Sequence, residues 1–389
     1  MTSYDLIIVG AGLVGASLAA ALRDSGRRIA LLEGRPPQPL PQDDSWDVRI
    51  YAISPGSRRF LTDIGAWQHM DAGRLCAVER MRVAGDRRSS VLEFSADEIR
   101  TEELACILEN RLLQAALWQS VQGCDAIDVI APAEPTALQL DDDAARLTLA
   151  DGRVLSAPLV VGADGANSWV RQQAGIGAAP RLYRQKGVVA NFATEQPHDG
   201  VARQWFFPDG ILAWLPLPGR RVSMVWSTWD EQADALLTLD AATLCERVAE
   251  AGEHALGRLE LITPAAAFPL RLLHLERIAS HRLALIGDAA HNVHPLAGQG
   301  VNLGFQDARE LARVLGEAPA GSDIGEHLLL RRYERARKED IVAMQAVTDG
   351  LQRLFNNDNK LLAWLRNTGL AFTDKLGPIK HALVRHALG

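Results

Sequence analysis

The sequence predicts an α/β fold in which a nucleotide-binding domain on a parallel sheet is interrupted by a largely antiparallel β domain and closed by C-terminal helices. Three observations carry this. The N-terminus runs strand, glycine turn, helix, strand. Residues 180–270 change to short alternating runs rich in tryptophan and phenylalanine. From residue 303 onward apolar positions recur at helical spacing.

Taken in order, Tyr4-Asp5-Leu6-Ile7-Ile8-Val9 reads as a buried strand and Gly10-Ala11-Gly12-Leu13-Val14-Gly15 as a tight turn. Residues 14–25 form a small-residue helix that stops at Gly26. Residues 28–32 are the next strand, ended by Glu33. The proline-rich loop at 36–41 is neither helix nor central strand, because proline lacks the donor N–H. It leads to Ser45-Trp46-Asp47-Val48-Arg49 and a helix over residues 55–64. Leu104, Ile107, Leu108, Leu112 and Leu117 predict a helix over 103–121. Short strands fill 126–161, broken at Asp141-Asp142-Asp143 and Asp151-Gly152.

Leu159-Val160-Val161 opens a second strand, turn and helix. Trp205, Phe206, Phe207, Trp214, Trp226 and Trp229 fall in alternating runs such as Val222-Ser223-Met224-Val225-Trp226, which predict a sheet covered on one face. Helices over 303–315 and 328–356 follow, then an amphipathic tail with Leu361, Leu362, Trp364, Leu365, Leu370, Phe372 and Leu376. The expected division assigns 1–75, 100–178 and 270–330 to the nucleotide-binding domain, 76–99 and 179–269 to the inserted domain, and 331–389 to a C-terminal helical region.

A chain of 389 residues buries roughly three quarters of its extended surface, enough for a deep, dry pocket. A net charge of −7 without a basic block excludes a nucleic-acid role. Cys76, Cys106, Cys124 and Cys245 form no C-x-x-C pair or metal cluster, which predicts reduced thiols and a cytoplasmic protein. Asp5 precedes the first apolar run and no basic segment leads it, so a signal peptide is not expected. A membrane-spanning helix is not expected either, since no apolar run reaches about 18 residues. Peripheral contact with the inner face of a membrane stays open.

A lone G-x-G-x-x-G is weak in a chain with 32 glycines, but this one follows a strand, opens a helix, and precedes an acid by roughly the 20 residues expected. Gly10 permits the turn, Gly12 lets a pyrophosphate approach the backbone, and Gly15 lets the helix pack close; Leu13 and Val14 belong to the same loop. Glu33 accepts from both ribose hydroxyls of an adenosine and repels a 2′-phosphate, which leaves NAD or FAD. Gly162-Ala163-Asp164-Gly165, followed by Ser168 and Arg171, reads equally well as a second nucleotide contact or as a capped strand end. The third motif spans residues 287–302. Leu283-Ala284-Leu285-Ile286 stops at Gly287-Asp288, crosses a turn punctuated by Pro295 and Gly298, and restarts as a helix at Gly300, Val301 and Asn302. A carboxylate at a strand end and free amides at a helix start suit a ligand with hydroxyls at one end and an anionic ring at the other. FAD has that shape. His291 and His294 lack a third ligand at a telling spacing, so no metal is expected.

In this order the three motifs resemble those of the single-component flavin aromatic hydroxylases of the para-hydroxybenzoate hydroxylase fold, a Rossmann-like FAD-binding domain with an inserted β-sheet substrate domain. The resemblance implies that Gly10, Gly12, Gly15 and Glu33 hold the ADP half of FAD. It also implies that Asp164 and Gly165 lie near the pyrophosphate and the NADPH path, and that Gly287 and Asp288 meet the ribityl chain. Arg49 matches an arginine that holds flavin and admits nicotinamide; Asn110 and Arg111 fall in a segment that touches FAD phosphate or adenine. His294-Pro295-Leu296-Ala297-Gly298-Gln299-Gly300-Val301-Asn302-Leu303-Gly304 is similar to the signature of the ubiquinone-biosynthesis hydroxylases, as are Trp214-Leu215-Pro216-Leu217-Pro218 and Gly377-Pro378-Ile379-Lys380.

That subfamily implies transient NAD(P)H, O₂, a flavin C4a-hydroperoxide and hydroxylation of a polyprenylated phenol. Peripheral membrane contact or other ubiquinone-biosynthesis proteins are the implied partners. Pro295 and Gly298 would shape the space where oxygen meets the ring, with Arg49 as the third reactive-site candidate. A flavin dehydrogenase or prenyl-lipid reductase on the same framework, and a flavin-containing scaffold of a biosynthetic assembly, are the alternatives.

Overall fold

The structure is a computed structural model and describes residues 1–85, 91–178, 181–292, 300–319 and 321–355. Five short apolar strands form its parallel sheet in the order Leu283–Leu285, Leu159–Gly162, Leu6–Val9, Ile29–Leu32, Ile127–Ile130; Ala279–Ser280 adds antiparallel at one edge. Strands covered on both faces read as unbroken apolar runs. Every residue of Leu6–Val9, Ile29–Leu32 and Leu159–Gly162 is accordingly buried.

Helix Leu13–Leu22 packs on helices Gly300–Gly316 and Asn110–Val121. A four-stranded sheet, Thr2–Ser3, Val154–Ala157, Ala145–Leu149 and Pro135–Leu140, adds Leu147, Leu149 and Leu155 to the same core. Each such side chain contributes about 1.5–3 kcal/mol on full burial.

The second large unit is an eight-stranded sheet running Leu259–Leu261, Arg181–Thr194, Arg221–Trp229, Gly210–Leu217, Val201–Phe207, Arg80–Ala84, Val91–Ser95, with Ala266–Leu272 also paired to Arg181–Thr194. Its pairings are antiparallel except that Val201–Phe207 runs parallel to Arg80–Ala84. This sheet departs from the one-sided covering that alternation predicted. All eight residues of Gly210–Leu217 are buried. Helices Asp230–Thr238 and Ala241–Ala251 supply Ala233, Leu236, Leu244 and Val248 to one cluster with Leu212 and Trp214. Leu215 and Leu217 pack instead with Ile50 and Ile107 of a three-stranded sheet, Ile50–Ile53, Ala105–Glu109 and Cys76–Val78. Alternation reports the strand period; what lies over each face is a tertiary fact.

A second difference falls at 103–121, where the first part of the predicted helix is the strand Ala105–Glu109 and only Asn110–Val121 is helical. Leu104 and Ile107 join one cluster while Leu108, Leu112 and Leu117 join another. Pairing of Ala105–Glu109 with both Ile50–Ile53 and Cys76–Val78 satisfies its backbone and overrides the local spacing. The helix Gly300–Gly316 and the long helix His327–Phe355 match expectation, whereas the predicted tail from Leu361 to Leu376 lies outside the described residues. All four cysteines are free, and burial pushes the Cys76 and Cys106 thiols up to about 11 and about 12.

Candidate functional site

The three sequence motifs, far apart in the chain, meet at the carboxyl ends of adjacent parallel strands. Parallel sheets place ligand crevices there. The turn at Gly10 has φ +102°, and a Cβ on it would lie 2.5 Å from the Ala163 carbonyl oxygen. The second motif therefore presses backbone to backbone on the first. A Cβ at Gly287 would come 3.1 Å from the Val14 side chain, and one at Gly304 would come 2.5 Å from it. The third motif thus closes around the same loop. Gly15 lets its helix approach, since a Cβ there would sit 1.9 Å from the Gly10 oxygen. Gly12 and Gly300 differ: among the described residues, no protein atom lies within 4 Å of a Cβ at either position. The described residues leave the backbone at Gly12 and at the helix start Gly300 uncovered, as a cradle for a pyrophosphate and an anionic ring edge requires.

Glu33 ends the strand beside the loop, and its carboxylate accepts from the Ala11 N–H at 2.8 Å and the Arg35 N–H at 3.1 Å. These bonds orient it across the glycine turn and leave further lone pairs for a ribose. Gln114, which sequence reasoning did not single out, donates to the Ala11 carbonyl at 2.9 Å and steadies the same turn. Asp288 lies at the other end, on the short helical turn Gly287–Ala289, exposed while Gly287 and Ala289 are buried. Its carboxylate accepts no hydrogen bond among the described residues.

Arg49 and Asp288 both act electrostatically on Tyr51. The Arg49 guanidinium lies 5.4 Å from the Tyr51 ring centroid. Burial pushes the Tyr51 phenol up to about 12, Arg49 pulling it down and the Asp288 charge pushing it up. Asp47, also missed from the sequence, poses this corner: its carboxylate accepts from the Arg49 N–H at 3.0 Å and the Arg111 N–H at 3.1 Å, while its carbonyl accepts from Asn191 at 2.8 Å. Asn302 anchors the strand carrying Tyr51, donating to the Ala52 carbonyl at 2.8 Å and accepting from the Ser54 N–H at 3.0 Å.

The remaining predicted residues are held as follows. Asn110 begins its helix and donates its N–H to the Arg49 carbonyl. The Arg111 guanidinium is bound to Glu109 and to Ser45, so its side chain is engaged within the 45–49 loop. Asp164 accepts from the Ser168 hydroxyl and the Val170 N–H, capping the helix Trp169–Gln173, and the adjoining Gly165 takes φ +81°. Buried Arg171 donates to the Ala289 and Ala166 carbonyls and so joins the second motif to the third. Val301 lies in the first turn of helix Gly300–Gly316. Leu13 begins helix Leu13–Leu22 and is buried. His291 bonds Asp307. Pro295, Gly298 and His294 lie outside the described residues.

These residues fit FAD, and the comparisons agree. The FAD binding domain family matches residues 3–349. Ubiquinone hydroxylase UbiL of Rhodospirillum rubrum is 38% identical over 99% of this chain and 89% of the relative. The 3-demethoxyubiquinol 3-hydroxylase of Escherichia coli is 37% identical over 99% of this chain and 98% of the relative. This chain belongs to the ubiquinone-biosynthesis flavin hydroxylases. The hydroxylase also shares its fold with p-nitrophenol 4-monooxygenase PnpA of Pseudomonas putida, at TM-score 0.80 and 16% identity over 100% of this chain and 99% of that one. It is an FAD-dependent monooxygenase of the para-hydroxybenzoate hydroxylase fold. Among the described residues, no helix of the hydroxylase is long and apolar enough to cross a membrane, and no group of three or more His, Cys, Asp or Glu could hold a metal.

Proposed function

We propose that this hydroxylase adds one oxygen atom of O₂ to the ring of a polyprenylated phenol on the route to ubiquinone, with NAD(P)H as electron donor. The observation that carries the reading is the packing of the Gly10 to Gly15 loop against Gly287, next to Asp288, with Arg49 and Asp288 both acting on Tyr51, in a chain 37% identical to a 3-demethoxyubiquinol 3-hydroxylase. FAD, when bound, supplies the redox chemistry and the activation of oxygen.

The protein supplies position, charge and dryness. Glu33 accepts the ribose hydroxyls, the amides of the Gly10 to Gly15 loop meet the pyrophosphate, and Asp288 accepts from the ribityl chain. Amides at Gly300, Val301 and Asn302 direct a helix N-terminus at negative charge on the ring edge. Arg49, exposed and posed by Asp47, meets the nicotinamide donor or the flavin edge. Pro295 and Gly298, outside the described residues, keep the oxygen-side role that the family resemblance implies for them. The eight-stranded sheet with its helices is the substrate side of this reading, within the domain division expected from the sequence. A prenylated substrate resides in lipid, so the reading includes peripheral membrane contact, or contact with a protein that delivers the phenol, from the cytoplasmic side.

The test is anaerobic reduction of FAD-loaded protein by NADPH, then admission of oxygen with candidate prenylphenols and mass-spectrometric location of a new hydroxyl. One ¹⁸O atom from ¹⁸O₂ in the product supports the reading. Flavin reduction with electron transfer but no oxygen incorporation would place the chain among the flavin dehydrogenases and reductases.

A further inference from the structure

Directly behind Asp288 lies a charged cluster that none of the cofactor assignments uses. Asp307, on helix Gly300–Gly316, is 0% exposed, and its carboxylate has three donors among the described residues. One oxygen accepts from the Gly287 N–H at 2.9 Å and lies 2.6 Å from His291 Nε2; the other accepts from Arg337 Nε at 2.7 Å. His291 and Arg337 are each only 3% exposed. Burial alone would raise the Asp307 carboxyl; His291 and Arg337 overcome it and hold the group below its ordinary value. A desolvated carboxylate of this kind persists only while its partners stay in place.

What the cluster grips is specific. Gly287 has φ +60°, a backbone state that glycine adopts without strain. Its N–H is the last backbone donor before Asp288. The other end of the turn is also fixed, because Asn292 and Leu273 exchange backbone hydrogen bonds at 3.2 and 3.3 Å. Arg337 belongs to the long helix His327–Phe355 and is further held by Asp340 and Gln306. A side chain near the C-terminus of the described fold thereby reaches the turn that carries the proposed ribityl carboxylate.

We infer that Asp307, held by His291 and Arg337, is a positioning residue for the flavin: it fixes the Gly287 N–H and so aims Asp288 at the ribityl hydroxyls. This rests on the assignment of Asp288 to the cofactor. Coupling of this kind makes two mutational losses non-additive, because the second change removes an interaction the first has already disabled.

The test is a double-mutant cycle of FAD affinity, read by flavin fluorescence on apoprotein, with the melting of each apoprotein measured alongside. Asp288→Asn and Asp307→Asn should each weaken FAD binding by about ten-fold, and the double variant should be weaker than Asp288→Asn alone by no more than about two-fold. Affinity within about two-fold of the parent for Asp307→Asn, or fully additive losses, overturns the inference while leaving the Asp288 assignment standing. Unchanged affinity in Asp288→Asn overturns both. Should Asp307→Asn not fold, Arg337→Met and Arg337→Lys enter the same cycle. Loss of affinity in the first with recovery in the second, non-additive with Asp288→Asn, supports the inference; equal affinity in the two overturns it.

Discussion

Gly12 and Gly15 stand in one loop and answer to different neighbours. A Cβ at Gly15 meets the Gly10 carbonyl oxygen at 1.9 Å, a collision with backbone that cannot turn away. Gly15→Ala should therefore cost about 1–3 kcal/mol of apoprotein stability, read by chemical denaturation. A Cβ at Gly12 meets no protein atom within 4 Å among the described residues, so Gly12→Val should leave apoprotein stability within about 0.5 kcal/mol of the parent and still abolish FAD retention. A Gly12→Val protein that keeps its flavin would remove the cradle from this loop. Arg49 allows a kinetic version of the same argument. Its guanidinium is exposed while its backbone is pinned by Asp47, so Arg49→Ala should spare the fold and slow anaerobic flavin reduction by NADPH. Unchanged reduction would leave Arg49 as a surface cation above Tyr51.

At the scale of elements, the strand Ile50–Ile53 links the two halves of the crevice, and Tyr51 reports on it. The phenol is held at about 12 against an ordinary 10.0, chiefly by burial, so the folded state favours the protonated form. The resulting stability is fully present below about pH 10 and is lost as pH rises from about 10 toward about 12. The shift corresponds to on the order of 2 kcal/mol after allowance for the ring's partial exposure. Tyr51→Phe should flatten the alkaline decline measured by denaturation between those values; an unaltered decline would place the alkaline transition elsewhere. The loop entering this strand is organised by Glu109, whose fully buried carboxylate pairs with Arg74 and Arg111 and accepts the Asp47 N–H. None of that was legible in the sequence, since Arg74, Glu109 and Asp47 lie far apart in the chain and only the pairing of Ala105–Glu109 with both Ile50–Ile53 and Cys76–Val78 brings them together.

For the whole molecule, the proposed site draws on adjacent strand ends belonging to residues 6–9, 159–162 and 283–285, which ties cofactor binding to the fold of the entire parallel sheet. FAD binds only the folded arrangement, so at a hundred-fold excess over its Kd it should stabilise the apoprotein by about 2.7 kcal/mol, seen as a higher denaturation midpoint. Unchanged stability in saturating FAD would contradict a site built from these elements. The parallel sheet and the glycine loop were readable because their signals are local: unbroken apolar runs, then glycines where backbone crowds backbone. The strand at 105–109 and the two-sided burial of Gly210–Leu217 were not, because spacing within a segment records its own period and not what packs against it. The sequence by itself determined the fold class, the flavin-shaped pairing of glycine loop, Glu33 and Asp288, and the family they point to. Only the tertiary structure decided how the turn carrying Asp288 is held, because Gly287, His291, Asp307 and Arg337 become neighbours through the packing of two C-terminal helices against a strand end, where a buried aspartate must be satisfied by donors from distant parts of the chain.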